Sequence, residues 1–230
     1  SRDIEQSFVK QQPLATDQEH KALMALVACP VSAIGTIAKT DVSSAVDAFP
    51  IPIADDVYYC GFAAEESFGA ASYLIRRPGG NVLVDSPRAS RPLLRQLEQL
   101  GGVKHMFLTH RDDVADHRLF RKELGCERII HRADLSPATA DVETTLDGSA
   151  PLRLAEDLLV IPVPGHTAGS AALLFKDEFL FSGDHLWWSE DRGRLHASRR
   201  VNWHSWDDQI RSLRRLLSFD FRWVLPGHGR

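Results

Sequence analysis

Phe107-Leu108-Thr109-His110-Arg111-Asp112-Asp113-Val114-Ala115-Asp116-His117 carries an apolar run straight into a turn crowded with imidazole and carboxylate. Three later stretches repeat the arrangement. Val160–Pro164 runs into Gly165-His166-Thr167-Ala168-Gly169-Ser170, Phe179–Ser182 into Gly183-Asp184-His185, and Val224–Pro226 into Gly227-His228-Gly229. Imidazole and carboxylate are ligand types that suit zinc, iron or manganese. Glycine beside the ligand in the last three turns permits close backbone approach, and strand ends on a rigid sheet hold metal geometry well. Any one of these histidines alone reads as an ordinary turn residue; four such turns together read as a metal site.

Outward from these turns, the chain alternates strands and helices. Tyr73–Arg76 and Val82–Asp85 flank Pro78-Gly79-Gly80-Asn81, a hairpin signal, and Ala171–Phe175 with Glu178–Phe181 make a second around Lys176-Asp177. Further strands are predicted at Val57–Phe62, Val103–Leu108, Arg128–His131, Leu158–Val163 and Trp223–Leu225. Helices are predicted over Pro92–Leu100 and Val114–Leu124, stopped by Gly101 and Gly125, and after Ser205, which with Asp208 caps a helix bearing Trp206, Ile210, Leu213 and Leu217. Strand-rich halves, each finished by a helix, predict an α+β fold of two face-to-face sheets with helices outside. The first residues differ. Thr16-Asp17-Gln18-Glu19 reads as a capping box opening a short helix with Leu23, Leu26 and Val27. Cys29-Pro30 ends that helix, Ala33–Ile37 reads as a short strand, and the polar stretch Thr40–Asp55 reads as a linker. The expected division is therefore a segment and linker over 1–55 and a main domain over 56–230.

The composition is that of an ordinary globular chain: 230 residues, 27 Lys+Arg against 31 Asp+Glu, and a net charge of -4. This balance gives no reason to expect nucleic acid or an anionic membrane as partner. No apolar run approaches the ~20 residues of a membrane span. Three cysteines, Cys29, Cys60 and Cys126, argue against a disulfide framework and for a reducing compartment, with the thiols expected to be buried. An intracellular soluble protein is the expectation.

In order and spacing, the four turns resemble the metallo-β-lactamase superfamily from about Val57 to Arg230. The resemblance implies a four-layer αββα sandwich with the site at one edge of the sheets. It implies a supporting role for Asp85, a His-x-His-x-Asp-His loop at His110, Asp116 and His117, further ligands at His166 and His228, and a metal-bridging carboxylate at Asp184. The loop departs from the pattern: Asp112 stands where the second histidine belongs, and two extra residues precede Asp116-His117. His110, His166 and Asp184 are then the remains of the first metal position, with Asp112 or Asp113 as its fourth ligand, and Asp116, His117, Asp184 and His228 form the second. Three occupancies stay open: two metals, one zinc at the second position, or an iron held by the facial set His110, His166 and Asp184. Zinc, at one or two positions, is preferred.

A bound divalent metal lowers the pKa of water towards about 7. The expected activity is hydrolysis of an ester, thioester, lactone or phosphodiester by a metal-bound hydroxide, with Asp116, Asp112 or Asp113 orienting or deprotonating the water. Asp112 and Asp113 also read as N-caps before Val114. The alternatives are an iron oxidoreductase resembling the persulfide dioxygenases, and a catalytically silent metal-binding protein. The stretch His185–Trp203, with Trp187, Trp188, Arg192, Arg194 and His196, is expected to overhang the site and suits a small, anionic substrate. His185 and His204 read as supporting donors or surface residues. The chain stops just after His228, without the helical extension that glyoxalase II uses for glutathione, which weakens a hydroxyacylglutathione hydrolase reading. Ala22–Ile34, with its Cys29-Pro30, resembles the end of a bacterial-type ferredoxin half. One cysteine falls short of the four thiolates a cluster needs, so a degenerate ferredoxin-like segment without an iron–sulfur cluster is expected. Similar joined proteins in plants, algae and cyanobacteria point to the plastid stroma.

Overall fold

The computed structural model describes Val9 and residues 11–229; residues 1–8, 10 and 230, including the opening of the ferredoxin-like segment, lie outside the described residues. Two helices come first, α1 (Thr16–Ala28) and α2 (Ser43–Asp47). A seven-stranded sheet follows, its strands side by side in chain order: β1 (Ile51–Ala54), β2 (Val57–Tyr59), β3 (Tyr73–Ile75), β4 (Val82–Val84), β5 (His105–Phe107), β6 (Glu127–His131) and β7 (Thr144–Leu146). Pairing is antiparallel from β1 to β4 and parallel from β4 to β7. The parallel crossovers β4 to β5 and β5 to β6 run through α3 (Arg91–Gln99) and α4 (His117–Leu124). The second sheet holds β8 (Leu152–Ala155), β9 (Leu158–Pro162), β10 (Ala171–Phe175) and β11 (Phe179–Gly183). A separate hairpin, β12 (Trp187–Ser189) with β13 (Arg194–His196), and α5 (Trp206–Leu216) lead to β14 (Trp223–Pro226), which joins the second sheet parallel to β11.

Side-chain alternation makes this a four-layer sandwich. Val82, Val84 and Phe107 of the first sheet meet Leu173, Phe175, Phe179 and Phe181 of the second in the central core. The intervening Leu83 and Met106 face outward onto Leu93 and Leu97 of α3 and Phe120 of α4, while Ala172, Leu174 and Leu180 face Leu213 and Leu216 of α5. Strands buried on both faces read as continuous apolar runs, which is why β10 and β11 showed no polar alternation. The expected αββα architecture is the observed one.

Local differences have local causes. Thr16 already lies inside the first turn of α1, so no capping box forms; the helix opens at Ala15 without a side-chain cap. The expected helix at Val114 begins only at His117, because the preceding residues turn inward to bury Asp113. Ala33–Ile37 forms no strand. The stretch expected as a linker contains α2 and β1, whose Ile51 pairs with Tyr59 across a turn in which Asp55 takes φ +46, a conformation aspartate tolerates. Helix α1 lays Leu23, Met24 and Val27 on the outer core of the first sheet. Cys60 and Cys126 are buried and Cys29 is half-buried; burial pushes the first two thiols up to about 12 and about 11.

Candidate metal centre

The turns after β5, β9, β11 and β14 meet at one edge of the sandwich, and hydrogen bonds behind them set how each ring is presented. At the end of β4, buried Asp85 accepts from Thr109 N at 2.8 Å and from Thr109 Oγ1 at 2.9 and 3.0 Å. A carboxylate only accepts here, so the hydroxyl spends its proton on Asp85 and takes the Nδ1–H of His110, 3.0 Å away. His110 Nε2 is left with its lone pair facing Asp113 Oδ2 at 3.8 Å and Asp184 Oδ2 at 3.9 Å. His166 is fixed the same way: Nδ1 donates to Val201 O at 2.5 Å, and Nε2 faces Asp112 Oδ2 at 3.3 Å and Asp184 Oδ2 at 3.8 Å. His228 lies with Nδ1 2.7 Å from Asp184 Oδ1 and 3.8 Å from Asp113 Oδ2, while its Nε2 donates to Phe68 O at 3.3 Å.

Two ligand sets result, His110–His166–Asp184 and Asp113–Asp184–His228, the atoms of each lying within 4.8 Å of one another. Their chemistry fits a cation. His110 Nε2 and both carboxylate oxygens of Asp113 are buried and have no hydrogen-bond partner among the described residues, an expensive state for polar atoms unless a ligand completes it. The charges agree. Burial, then the Asp184, Asp85 and Asp112 charges, push Asp113 well above the usual carboxylate range. Burial opposes protonation of His166 and His228, yet bonds from Asp112 and Asp184 raise both. Burial drives His110 down to about 4, leaving its ring neutral, the form that binds metal. The edge is rich in acceptors and short of positive charge.

Residues 67–228 match the family model described as the metallo-beta-lactamase superfamily. The chain belongs to that superfamily. Residues 1–36 match a second model, the 4Fe-4S single cluster domain of ferredoxin I. A hydroxyacylglutathione hydrolase of Rhizobium etli is 32% identical over 162 residues, covering 67% of this chain and 60% of that protein. One of Anaeromyxobacter dehalogenans is 33% identical over 123 residues, 51% of this chain and 46% of that protein. The chain thus spans at most about 60% of the length of these curated relatives. Among solved structures, ETHE1 from Myxococcus xanthus superposes with a TM-score of 0.54 at 21% identity, over 75% of this chain and 76% of that one. DIM-1 metallo-beta-lactamase superposes at 0.59 and 16% identity, over 78% and 88%. At these identities the structures speak for the fold.

Of the residues expected at the site, the structure gathers His110, Asp112, Asp113, His166, Asp184 and His228 and places Asp116 and His117 elsewhere. Asp116 Oδ2 accepts from Ala89 N at 2.8 Å and holds the approach to α3. His117 is buried between Ala138 O, 3.1 Å from Nε2, and the Arg128 guanidinium, 3.1 Å from Nδ1. Both its ring nitrogens bond groups outside the carboxylate cluster, so the structure does not bring Asp116 and His117, expected to complete the second metal position with Asp116 as proton carrier, into either ligand set. The two extra residues explain the change. They let Asp113 reach the position beside Asp184 and His228, and carry Asp116-His117 on into the start of α4. Asp112 and Asp113 form no N-cap, since Asp116 precedes that helix.

One supporting residue was not anticipated. Asp134, in the turn Arg132–Asp134 after β6, is completely buried; it accepts from Arg111 N at 3.0 Å, Thr167 Oγ1 at 2.6 Å and Gly169 N at 2.7 Å. It ties the His110 loop to the His166 loop. Gly227 explains its own identity: a Cβ there would lie 2.9 Å from both Asp113 Oδ2 and Asp184 Oδ1. His185 is buried, its ring driven to about 3 by burial and then by the His166 charge, whereas His204 is exposed beside Asp208.

A cavity of about 650 Å³ opens over the centre, with Asp112, Asp113, His166, Asp184 and His228 at its floor and Phe68, Arg111, Trp187, Val201 and Trp203 in its walls. Of the five residues expected to shape the overhang, Trp187 lines this cavity; His196 stands edge-on behind it with ring centroids 5.4 Å apart. Arg111 is the cation of the wall. No helix among the described residues is long and apolar enough to cross a membrane.

Proposed function

We propose that the chain is a metal-dependent hydrolase of an ester or thioester bond in a small anionic molecule. The observation that carries this is the pair of ligand sets sharing Asp184 at the floor of an open cavity. His110, His166 and Asp184 would hold one divalent ion and Asp113, Asp184 and His228 a second, a donor set that suits zinc. Bound there, zinc brings the pKa of water to about 7 and polarises a carbonyl oxygen. The chain's own residues do the rest. Asp85 through Thr109, and Val201 through its carbonyl, keep His110 and His166 in the tautomer that presents Nε2. Asp112, 3.3 Å from His166 Nε2 and partly open to the cavity, takes the proton of the attacking water and returns it to the leaving oxygen or sulfur. Arg111 offers donors to the anionic end of the substrate. The hydroxyacylglutathione hydrolases among the relatives support the thioester half of the reading.

A second reading has its own observation. His110, His166 and Asp184 alone make a two-histidine, one-carboxylate set, which favours non-haem iron and oxidation of a persulfide. Elemental analysis of protein purified without added metal, beside His228→Ala, separates the two. One or two zinc ions per chain, depleted in His228→Ala, with thioester cleavage lost to chelator and restored by zinc, would support the hydrolase. Iron retained in His228→Ala, with oxygen consumed on a persulfide, would replace it.

A further inference from the structure

The cavity over the metal centre is walled by three rings, of which Trp187 is half-buried and the other two are left in water. Phe68 is 78% exposed and Trp203 63%, and with Trp187 they stand around one opening. Among the described residues, none of the three joins the apolar clusters that hold the layers together. Large rings grouped in water around a concave site lose the free energy that burial would return, and such patches mark binding surfaces.

These rings are also held in place. Trp203 N donates to His166 O at 2.9 Å, and its indole stands edge-on to the His166 imidazole with centroids 6.3 Å apart. Trp187 lies against the turn after His228, where a Cβ on Gly229 would come within 2.5 Å of the indole. Phe68 sits at φ +52, a costly conformation for a bulky residue. Its N–H bonds Glu65 O at 2.9 Å, and its carbonyl takes the His228 Nε2 proton. Each ring is therefore registered to a turn that bears a candidate ligand, and the strained one is the most exposed of the three.

We propose that Phe68, Trp187 and Trp203 form a clamp for a flat apolar group, so that the preferred substrate is an ester or thioester of an aromatic acyl group. The proposal rests on the hydrolase reading for the bond that is cut. Water adds across the acyl–oxygen or acyl–sulfur bond, hydroxide going to the acyl carbon and the proton to the departing alcohol or thiol. Binding of the ring does not depend on that reading.

Two measurements on the full chain keep the claims apart. The first titrates intrinsic tryptophan fluorescence with 2-naphthoate and, as control, acetate. Saturable quenching by naphthoate alone, weakened about tenfold in Phe68→Ala, which leaves every tryptophan in place, is the expected result. The second compares the benzoyl and acetyl thioesters of N-acetylcysteamine. The benzoyl-to-acetyl ratio of kcat/KM should fall about tenfold in Trp203→Ala, through KM, and less in Phe68→Leu, which keeps bulk without the ring. Absence of saturable quenching, or a ratio unmoved by both substitutions, would overturn the clamp. If neither these thioesters nor the corresponding oxygen esters are cleaved, the hydrolase reading fails while the naphthoate titration still decides the clamp.

Discussion

His110 with Asp113 and Asp116 with His117 come from one short stretch of chain, pair the same two residue types, and serve opposite ends. In the first half, His110 Nε2 and the Asp113 oxygens are buried with nothing in the described protein to bond them. In the second, His117 is bonded at both ring nitrogens, accepting from Arg128 and donating to Ala138 O, and Asp116 holds the Ala89 amide. Burial does not separate the two, since His110 and His117 are both almost fully buried. What separates them is whether the far side of the ring meets a partner. A histidine bonded on both sides by groups outside the carboxylate cluster is part of the scaffold; one that turns a nitrogen towards that cluster, as His110, His166 and His228 do, is a ligand in waiting.

The largest effect is expected at Asp184, the residue both ligand sets share. Asp184→Ala should remove metal from both positions and abolish turnover, read by elemental analysis and by thioester hydrolysis; an Asp184→Ala protein that keeps a full complement of metal would end the two-set description. The next effect should be smaller and act through another residue. Thr109→Val removes the hydroxyl that takes the His110 proton and gives its own to Asp85. Loss of such a supporting bond typically weakens metal binding by about 10–100-fold, so titration with a competing chelator should show that shift while the fold is kept.

Much of this architecture was legible because it is written in local pattern. Val82-Leu83-Val84 and Ala171–Phe175 are apolar on both faces, and both faces are covered by another layer. Gly125 in the left-handed region and Ser205 at an N-cap did what their positions suggested. The metal edge was legible as a set of turns, but not the choice within the first one. Asp116-His117 repeats the superfamily's Asp-His pair as text, while Asp113 occupies the space, because two inserted residues shift the chain relative to the cavity. Nothing in a sequence measures that shift. Asp134 was hidden for another reason: its partners Arg111, Thr167 and Gly169 lie 23, 33 and 35 residues away. A buried carboxylate whose purpose is to join two loops has no signature in its own neighbourhood. The stretch Thr40–Asp55 read as a linker because it is polar, yet Ile51 and Ile53 form an edge strand there.

The scaffold half of the loop gives the two smaller effects. His117→Ala should retain metal and lose about 1–3 kcal/mol of stability, the cost of leaving buried partners unpaired, measured by denaturant unfolding; loss of metal on this substitution would restore His117 as a ligand. Behind His117 the Arg128 guanidinium also binds Glu143, at 2.8 Å, and Asp141, at 3.3 Å. Burial opposes charge on Glu143, but bonds from the Arg128 side chain and backbone outweigh it and hold the carboxyl down at about 2, from an ordinary 4.5. A carboxylate whose pKa is lower in the folded state stabilises above its unfolded value and loses that contribution as pH falls towards the folded one. The stability difference between the parent chain and Glu143→Gln should therefore be constant above about pH 5 and shrink steadily between 4.5 and about 2. Because Glu143 is partly exposed, salt should reduce the effect as well. A difference that stays flat through that window would mean that Arg128 holds His117 without help from Glu143, and that the scaffold half of the loop stands on the histidine's two bonds alone.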